Sequence, residues 1–193
     1  MSQNRLPKLA HVVYRTCKFG RMLAWYKEMF QARVQHQNPV MAFLTYDDEH
    51  HRLAFIDLKA VQPNEDESEK QGLVGVEHVA YSYQSLDDLF ENYIRLKSKA
   101  ILPYWCIHHG LTISMYYADP DGNQLEFQVD SFESVEESNA YICGPSFDVN
   151  PVGVEFDPED WLNQVHAGAS FSDFMIRQVH EPVSPIRGAL NAV

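Results

Sequence analysis

Cysteine is scarce in this chain: three residues among 193, Cys17, Cys106 and Cys143, with no C-x-x-C pair. An odd, scattered set argues against a disulfide scaffold and fits buried thiols in a reducing compartment. Long apolar runs are missing too. No stretch approaches the roughly 18 consecutive apolar residues of a membrane span, and MSQNRLPKLA lacks the apolar core of a secretory signal. The expectation is a soluble, cytoplasmic protein with no membrane partner. Positive charge is also in short supply: 15 basic against 27 acidic residues leave a formal net charge of −12. That argues against nucleic acid, or an anionic membrane surface, bound through a broad basic patch. Small-molecule partners are what the composition leaves.

What is present is core material, 45% hydrophobic and 12% aromatic, in a length that suits one domain or two small modules sharing a core. Residues 8–15 alternate and are rich in branched side chains, which predicts a strand. From Thr16 to about Ala32 the period changes. Phe19, Met22, Leu23, Tyr26, Met29 and Phe30 recur at helical spacing, the stripe of a helix lying on a sheet. Strand-like runs follow at about 33–37, 40–47 and 52–58, giving βαβββ. The stretch QPNEDESEKQG is acidic and nearly without apolar side chains, so it reads as a connector that buries nothing.

After it the order repeats. A strand at 75–83 leads to a helix whose start is signalled by Ser85 and Asp88, with Leu86, Leu89, Phe90, Tyr93 and Leu96 as its buried stripe. Strands at roughly 101–107, 111–118 and 124–129 complete a second βαβββ unit. The fold class predicted is therefore α+β: two modules, about 8–60 and 74–130, joined by a linker at 61–73 in a domain ending near 131. HVVY at 11–14 is echoed by HVAY at 78–81, which makes the modules pseudo-symmetric and implies a cleft between their sheets. Residues 132–193, with prolines and short apolar runs, form a C-terminal extension expected to wrap the body or a partner subunit. A helix is predicted from Asp157, with Pro158 at its first position and Gly168 past its end.

Strand alternation then assigns faces. Leu111, Ile113, Met115 and Tyr117 share one side, Thr112, Ser114 and Tyr116 the other, polar one. Gln124, Glu126 and Gln128 point away from Leu125 and Phe127, so Glu126 is aimed into the cavity from an otherwise apolar strand. A carboxylate there is costly without a cation. His11 and His78 occupy equivalent places on equivalent strands, and Glu126 would face them. Two imidazoles and a carboxylate make the 2-His-1-carboxylate arrangement, which holds a divalent metal and leaves positions open for substrate and oxygen. The competing reading of each histidine is a core side chain hydrogen-bonded to a neighbour.

LAHVVYRT, GVEHVAYSY and YYADPDGNQLEF, across residues 8–130, resemble the vicinal oxygen chelate superfamily of glyoxalases, bleomycin-resistance proteins and type I extradiol dioxygenases. That resemblance implies His11, His78 and Glu126 as metal ligands. AFLTYDDEHHRLAFID looks like the extradiol catechol dioxygenases, where an HH pair opens the fourth strand and its second histidine is an acid-base group; the role maps onto His51. The pattern also places a tyrosine ten residues before the ligand glutamate in a Y-x-x-x-P-x-G run, matched by Tyr116, Pro120 and Gly122. A further active-site histidine falls on Ile107, so the adjacent His108 or His109 is expected to substitute. Large family members carry an additional N-terminal domain; with His11 so early, a compact, single-domain version is expected.

The resemblance thus implies an Fe(II)-dependent ring-cleaving dioxygenase taking a catechol-like aromatic and dioxygen, with Mn(II), Ni(II) or Zn(II) as alternative metals and a homodimer or higher homo-oligomer as its assembly. Two readings stay open. Asp57, sharing parity with His51, Leu53 and Phe55, would be a fourth ligand in a glyoxalase-like lyase or isomerase. A metal-free, aromatic-binding protein of the bleomycin-resistance type is the other. Tyr46, Phe55, Tyr104 and Trp105 are candidates for the walls of a planar substrate site.

Overall fold

The computed structural model describes residues 9, 11–49, 51–61, 76, 78–177 and 182–187. It divides into two units, the first taking the N-terminal part and the turn Asp119–Asp121, the second the remainder. Residues 62–72 of the expected acidic connector lie outside the described residues.

The first unit runs β1 (Val12–Thr16), α1 (Phe19–Phe30), β2 (Arg33–Gln37), β3 (Met41–Thr45) and β4 (Leu53–Asp57), the expected βαβββ. Strand order is β1-β4-β3-β2, with β1 parallel to β4 and the other pairs antiparallel. The parallel pair sits at the end of a chain that has crossed over through α1, as parallel strands require. Met22, Leu23, Tyr26 and Met29 form the buried stripe of α1. The Tyr26 ring lies 5.1 Å from Tyr14 and 4.9 Å from Phe55, so these two register partners mark the helix-covered face of the sheet. By alternation Thr16 and Asp57 share that face. Val13 and Ala54, with Phe43, take the opposite one.

This corrects the parity drawn from His51 through Asp57. Residues 51 and 52 form no part of β4, so alternation cannot be counted across them. Asp57 instead accepts the Lys59 N–H at 2.9 Å, opening the short helix α2 (Leu58–Val61).

The second unit repeats the order with β5 (His78–Ser82), α3 (Leu86–Lys97), β6 (Trp105–His108), β7 (Thr112–Ala118) and β8 (Gln124–Asp130). Ser85 caps α3 by accepting the Asp88 N–H at 3.2 Å, and Leu86, Leu89, Phe90, Tyr93 and Leu96 are buried. β6 starts later than its sequence suggested, because Pro103 has no N–H for the ladder.

The extension contributes α4 (Val135–Ile142), α5 (Pro145–Val149), the two-residue β9 (Val154–Glu155) and α6 (Pro158–His166). β9 pairs with β6, giving the order β5-β8-β7-β6-β9. The helix predicted from Asp157 forms with that residue as its cap, its carboxylate accepting the Glu159 N–H at 2.8 Å. Aromatic rings fasten the extension to α3: Trp161 stacks on Phe156 at 4.0 Å and on Phe174 at 4.5 Å, and Phe90 lies 4.8 Å from Phe171. Of the three cysteines expected to be buried only Cys106 is; Cys17 is half-buried and Cys143 exposed. Among the described residues no helix is long and apolar enough to cross a membrane.

Phe90→Ala removes a ring used by both the α3 core and the extension. The expected loss is about 3–5 kcal/mol of unfolding free energy, read by urea denaturation. A loss below about 1 kcal/mol would show that the ring column carries little of the stability.

Candidate active site

The ladders around β8 decide which side chains meet. Glu126 lies opposite Ala80 of β5 and Tyr116 of β7; Gln124 lies opposite His78, and Gln128 opposite Ser114. One face of the sheet therefore carries His78, Ser114, Tyr116 and Glu126. Met115, Tyr117, Leu125 and Phe127 take the other, as the sequence alternation predicts.

On the polar face, His78 Nε2 stands 3.0 Å from Glu126 Oε2, and the Glu126 side chain is only 6% exposed. Burial alone would raise the pKa of this carboxyl. Hydrogen bonds from His78, Ser114 and Tyr116, with His109 nearby, outweigh burial and hold it below its ordinary value. Glu126 is thus kept as an anion within an apolar strand, which costs free energy unless a positive partner or several donors surround it.

His109 completes the group. Its Nε2 lies 3.2 Å from the Tyr116 hydroxyl and 3.9 Å from Glu126 Oε1. Its Nδ1 contacts the Val152 carbonyl, and because a carbonyl can only accept, Nδ1 carries the proton. Burial lowers the pKa of this imidazole, so Nε2 of the neutral ring is left as an acceptor.

His108 is the residue the structure removes from the site. It pairs with Ile113, on the face that holds Met115 and Tyr117, away from Glu126. It is 4% exposed, its Nδ1 accepts the Gly110 N–H at 3.0 Å, and among the described residues its Nε2 has no hydrogen-bond partner. Burial pushes its pKa down to about 4, although the carbonyls of Met175 and Phe174 are near enough to favour the charged ring. Of the adjacent pair it is His109 that reaches Tyr116, because it keeps the parity of Trp105 and Ile107, whose register partners are Tyr116 and Ser114, and its N–H still donates to the Thr112 carbonyl at 2.8 Å.

In the first unit His11 and His51 come together, their ring centroids 4.5 Å apart, with Phe43 edge-on to His51 at 4.9 Å. His51 thereby belongs to the sheet face opposite α1, whereas Phe55 and Asp57 belong to the helix side. Of the four candidate wall residues, Phe55 packs on Tyr14 and Tyr26, and Tyr46 stacks on Phe30 at 4.8 Å. Trp105 lies 4.9 Å from Tyr116, and Tyr104 lies 6.3 Å from it while its hydroxyl donates to Gln124 at 2.7 Å. Those two remain beside the polar face.

Among the described residues, no three His, Cys, Asp or Glu side chains within one unit gather into a complete metal cage. His78 and Glu126 do fit as part of one. Imidazole nitrogen with carboxylate oxygen suits iron, manganese, nickel or zinc. Their 3.0 Å separation is what two neighbouring donors, each about 2.1 Å from a shared ion, would show.

A model of the Glyoxalase/Bleomycin resistance protein/Dioxygenase superfamily matches residues 8–127, both βαβββ repeats. The chain belongs to this superfamily. Within it, biphenyl-2,3-diol 1,2-dioxygenase 2 of Rhodococcus globerulus is 44% identical over 152 residues, 79% of this chain and 78% of the relative. Biphenyl-2,3-diol 1,2-dioxygenase 3 of the same organism is 37% identical over 172 residues, 89% and 88% of the two chains. A solved superfamily structure from Nocardioides aligns with TM-score 0.51 at 16% identity, covering 67% of this chain and 87% of its own. Lactoylglutathione lyase of Agrobacterium tumefaciens aligns with TM-score 0.50 at 16% identity, covering 65% and 96%. The structural matches establish the superfamily's vicinal oxygen chelate fold.

Because His108 titrates near 6.5 when unfolded and at about 4 when folded, the unfolded chain takes up its proton first as pH falls. Its contribution is therefore intact above pH 6.5 and is lost between 6.5 and 4, by at most about 3 kcal/mol. His108→Asn keeps an acceptor for Gly110 and cannot titrate. Urea midpoints measured across that window should fall less steeply in the variant; equal slopes would assign the acid sensitivity to other groups.

Proposed function

We propose that this chain is an Fe(II)-dependent extradiol-type dioxygenase that cleaves the ring of a catechol-like aromatic. The observation that carries the reading is the buried anionic Glu126 bonded to His78, with Tyr116 and His109 alongside. Relatives of 44% and 37% identity named as biphenyl-2,3-diol 1,2-dioxygenases support it and make an aryl-substituted catechol the first substrate to try.

The proposed ligands are His11, His78 and Glu126. Iron bound there would supply a Lewis-acidic, redox-active centre with positions left for the catechol oxygens and dioxygen. The remaining work falls to protein side chains. His51 accepts the proton of a substrate hydroxyl at a ring nitrogen and later returns it, a task suited to an imidazole near neutral pH. Tyr116 donates through its hydroxyl to a substrate oxygen. Tyr104 and Trp105 lie against the flat ring and exclude water from it.

Asp57 weighs against the four-ligand isomerase reading, because it shares the helix-covered face with Phe55 and is committed to Lys59.

Protein loaded with Fe(II) under argon should take up one dioxygen per biphenyl-2,3-diol and yield a yellow ring-opened product. Glu126→Gln and His78→Ala should abolish uptake and strip the metal. His51→Asn should lower kcat by about 10²–10⁴ while keeping metal, and Tyr116→Phe by a smaller factor. An absence of oxygen uptake across a broad catechol panel overturns the assignment. A His78→Ala variant with unchanged metal content and aromatic binding would point to the metal-free binding reading.

A further inference from the structure

The C-terminal extension does more than cover the second unit, because one of its turns reaches His109. Residues 150–153 run past the end of β6, and Val152 packs against the cluster of Trp105, Ile107 and Tyr116. Its carbonyl receives the proton on His109 Nδ1. The turn around that carbonyl is held from several sides. The buried Asn150 side chain accepts the Gly153 N–H at 2.7 Å and donates to the Gly153 carbonyl at 3.1 Å, bracketing Val152. The Gly153 carbonyl also accepts the Ser184 N–H at 2.9 Å. Arg177 Nη1 donates to the carbonyls of both Asn150 and His109, each at 2.8 Å, tying the turn to the backbone of the histidine it contacts.

Gly153 explains how the approach is possible. Its φ is +122°, and a Cβ there would lie 2.6 Å from the His108 carbonyl and 2.9 Å from His109 Cα. Only glycine allows the turn to lie this close to the histidine backbone.

We infer that the 150–153 turn is a positioning device for His109, with Asn150 as the residue that holds it: the Val152 carbonyl fixes the Nδ1–H tautomer and turns Nε2 toward the Tyr116 hydroxyl. A neutral imidazole free to exchange tautomers would present Nε2 to Tyr116 as donor part of the time. Tyr116 has one proton, and two acceptors, Nε2 and Glu126, compete for it. Fixing the tautomer keeps Nε2 an acceptor, so the hydroxyl proton is held by His109 or Glu126 until a substrate oxygen takes it. Val152 reaches His109 through its backbone carbonyl, while its side chain packs on the apolar cluster. Asn150 is different, since it alone supplies both brackets. The inference rests on the dioxygenase reading only for its catalytic consequence; the tautomer is a property of the chain itself.

The test is a long-range nitrogen–proton NMR spectrum of the full-length chain carrying 15N-histidine, without added metal. Signals missing from His109→Gln identify the His109 ring. The wild-type ring should show one protonated nitrogen, Nδ1, and Asn150→Ala should show the two nitrogens averaging toward a mixture. With iron and a catechol, Asn150→Ala should lower kcat roughly ten- to a hundredfold with little change in KM, and the penalty should vanish in the His109→Gln background. The inference is overturned if wild-type His109 carries its proton on Nε2, a measurement that needs no variant to fold. It is equally overturned if Asn150→Ala leaves the tautomer unchanged, or if its kcat penalty persists in His109→Gln. A protein with no ring cleavage but the expected tautomer response would sink the functional proposal and leave the positioning role standing.

Discussion

A carboxylate in the middle of an apolar strand is the constraint around which the second unit is arranged. Glu126 has lost most of its water, and an isolated ion in that position would protonate or leave. Neither happens, because the ladder delivers His78 from one neighbouring strand and Tyr116 and Ser114 from the other. The hydrogen bonds of the sheet are thus the means by which the charge is kept. Register is the variable that matters: a slip of β8 by one residue would send Glu126 to the side of Met115 and Tyr117 and turn Leu125 and Phe127 onto the polar face instead.

Around this anion the unit shows a graded set of environments for one side-chain type. His78 is bonded to the carboxylate and a third exposed, His109 is half-buried with both nitrogens occupied, and His108 is buried with one nitrogen unmatched among the described residues. Position along β6 separates the last two. Alternation puts His108 on the apolar side with Cys106, and His109, whose N–H still donates to the Thr112 carbonyl at 2.8 Å, on the polar side with Trp105 and Ile107. The buried His108 imidazole is tolerated because burial holds it neutral, at the expense of stability in acid.

Much of this was legible beforehand. The 3.6-residue stripes of α1 and α3, the caps at Ser85 and Asp157, and the alternation in β7 and β8 are local signals, and they produced the two βαβββ repeats and the correct face for Glu126, Ser114 and Tyr116. What escaped were features set by distant chain. Two residues are too few for β9 to announce itself, and it exists because β6 offers an open side. Asp57 and Phe55 were placed on the wrong face because the alternation was counted through residues 51 and 52, where there is no strand. Nothing in the run HHG by itself tells 108 from 109; the register of β6 on β7 separates them, and the Val152 carbonyl, 43 residues later, then holds the His109 ring.

The shortness of β9 has its own effect on how the molecule behaves in company. An uncovered outer strand presents a row of unsatisfied N–H and C=O groups onto which another polypeptide can zip, the usual start of aggregation. Here β6 is shielded by Val154 and Glu155, with the Phe156 N–H reaching the Cys106 carbonyl at 3.2 Å, a splint too brief to recruit a further strand. Proteolytic trimming of the extension would strip that splint away, turning a guarded border into a seam along which copies could adhere.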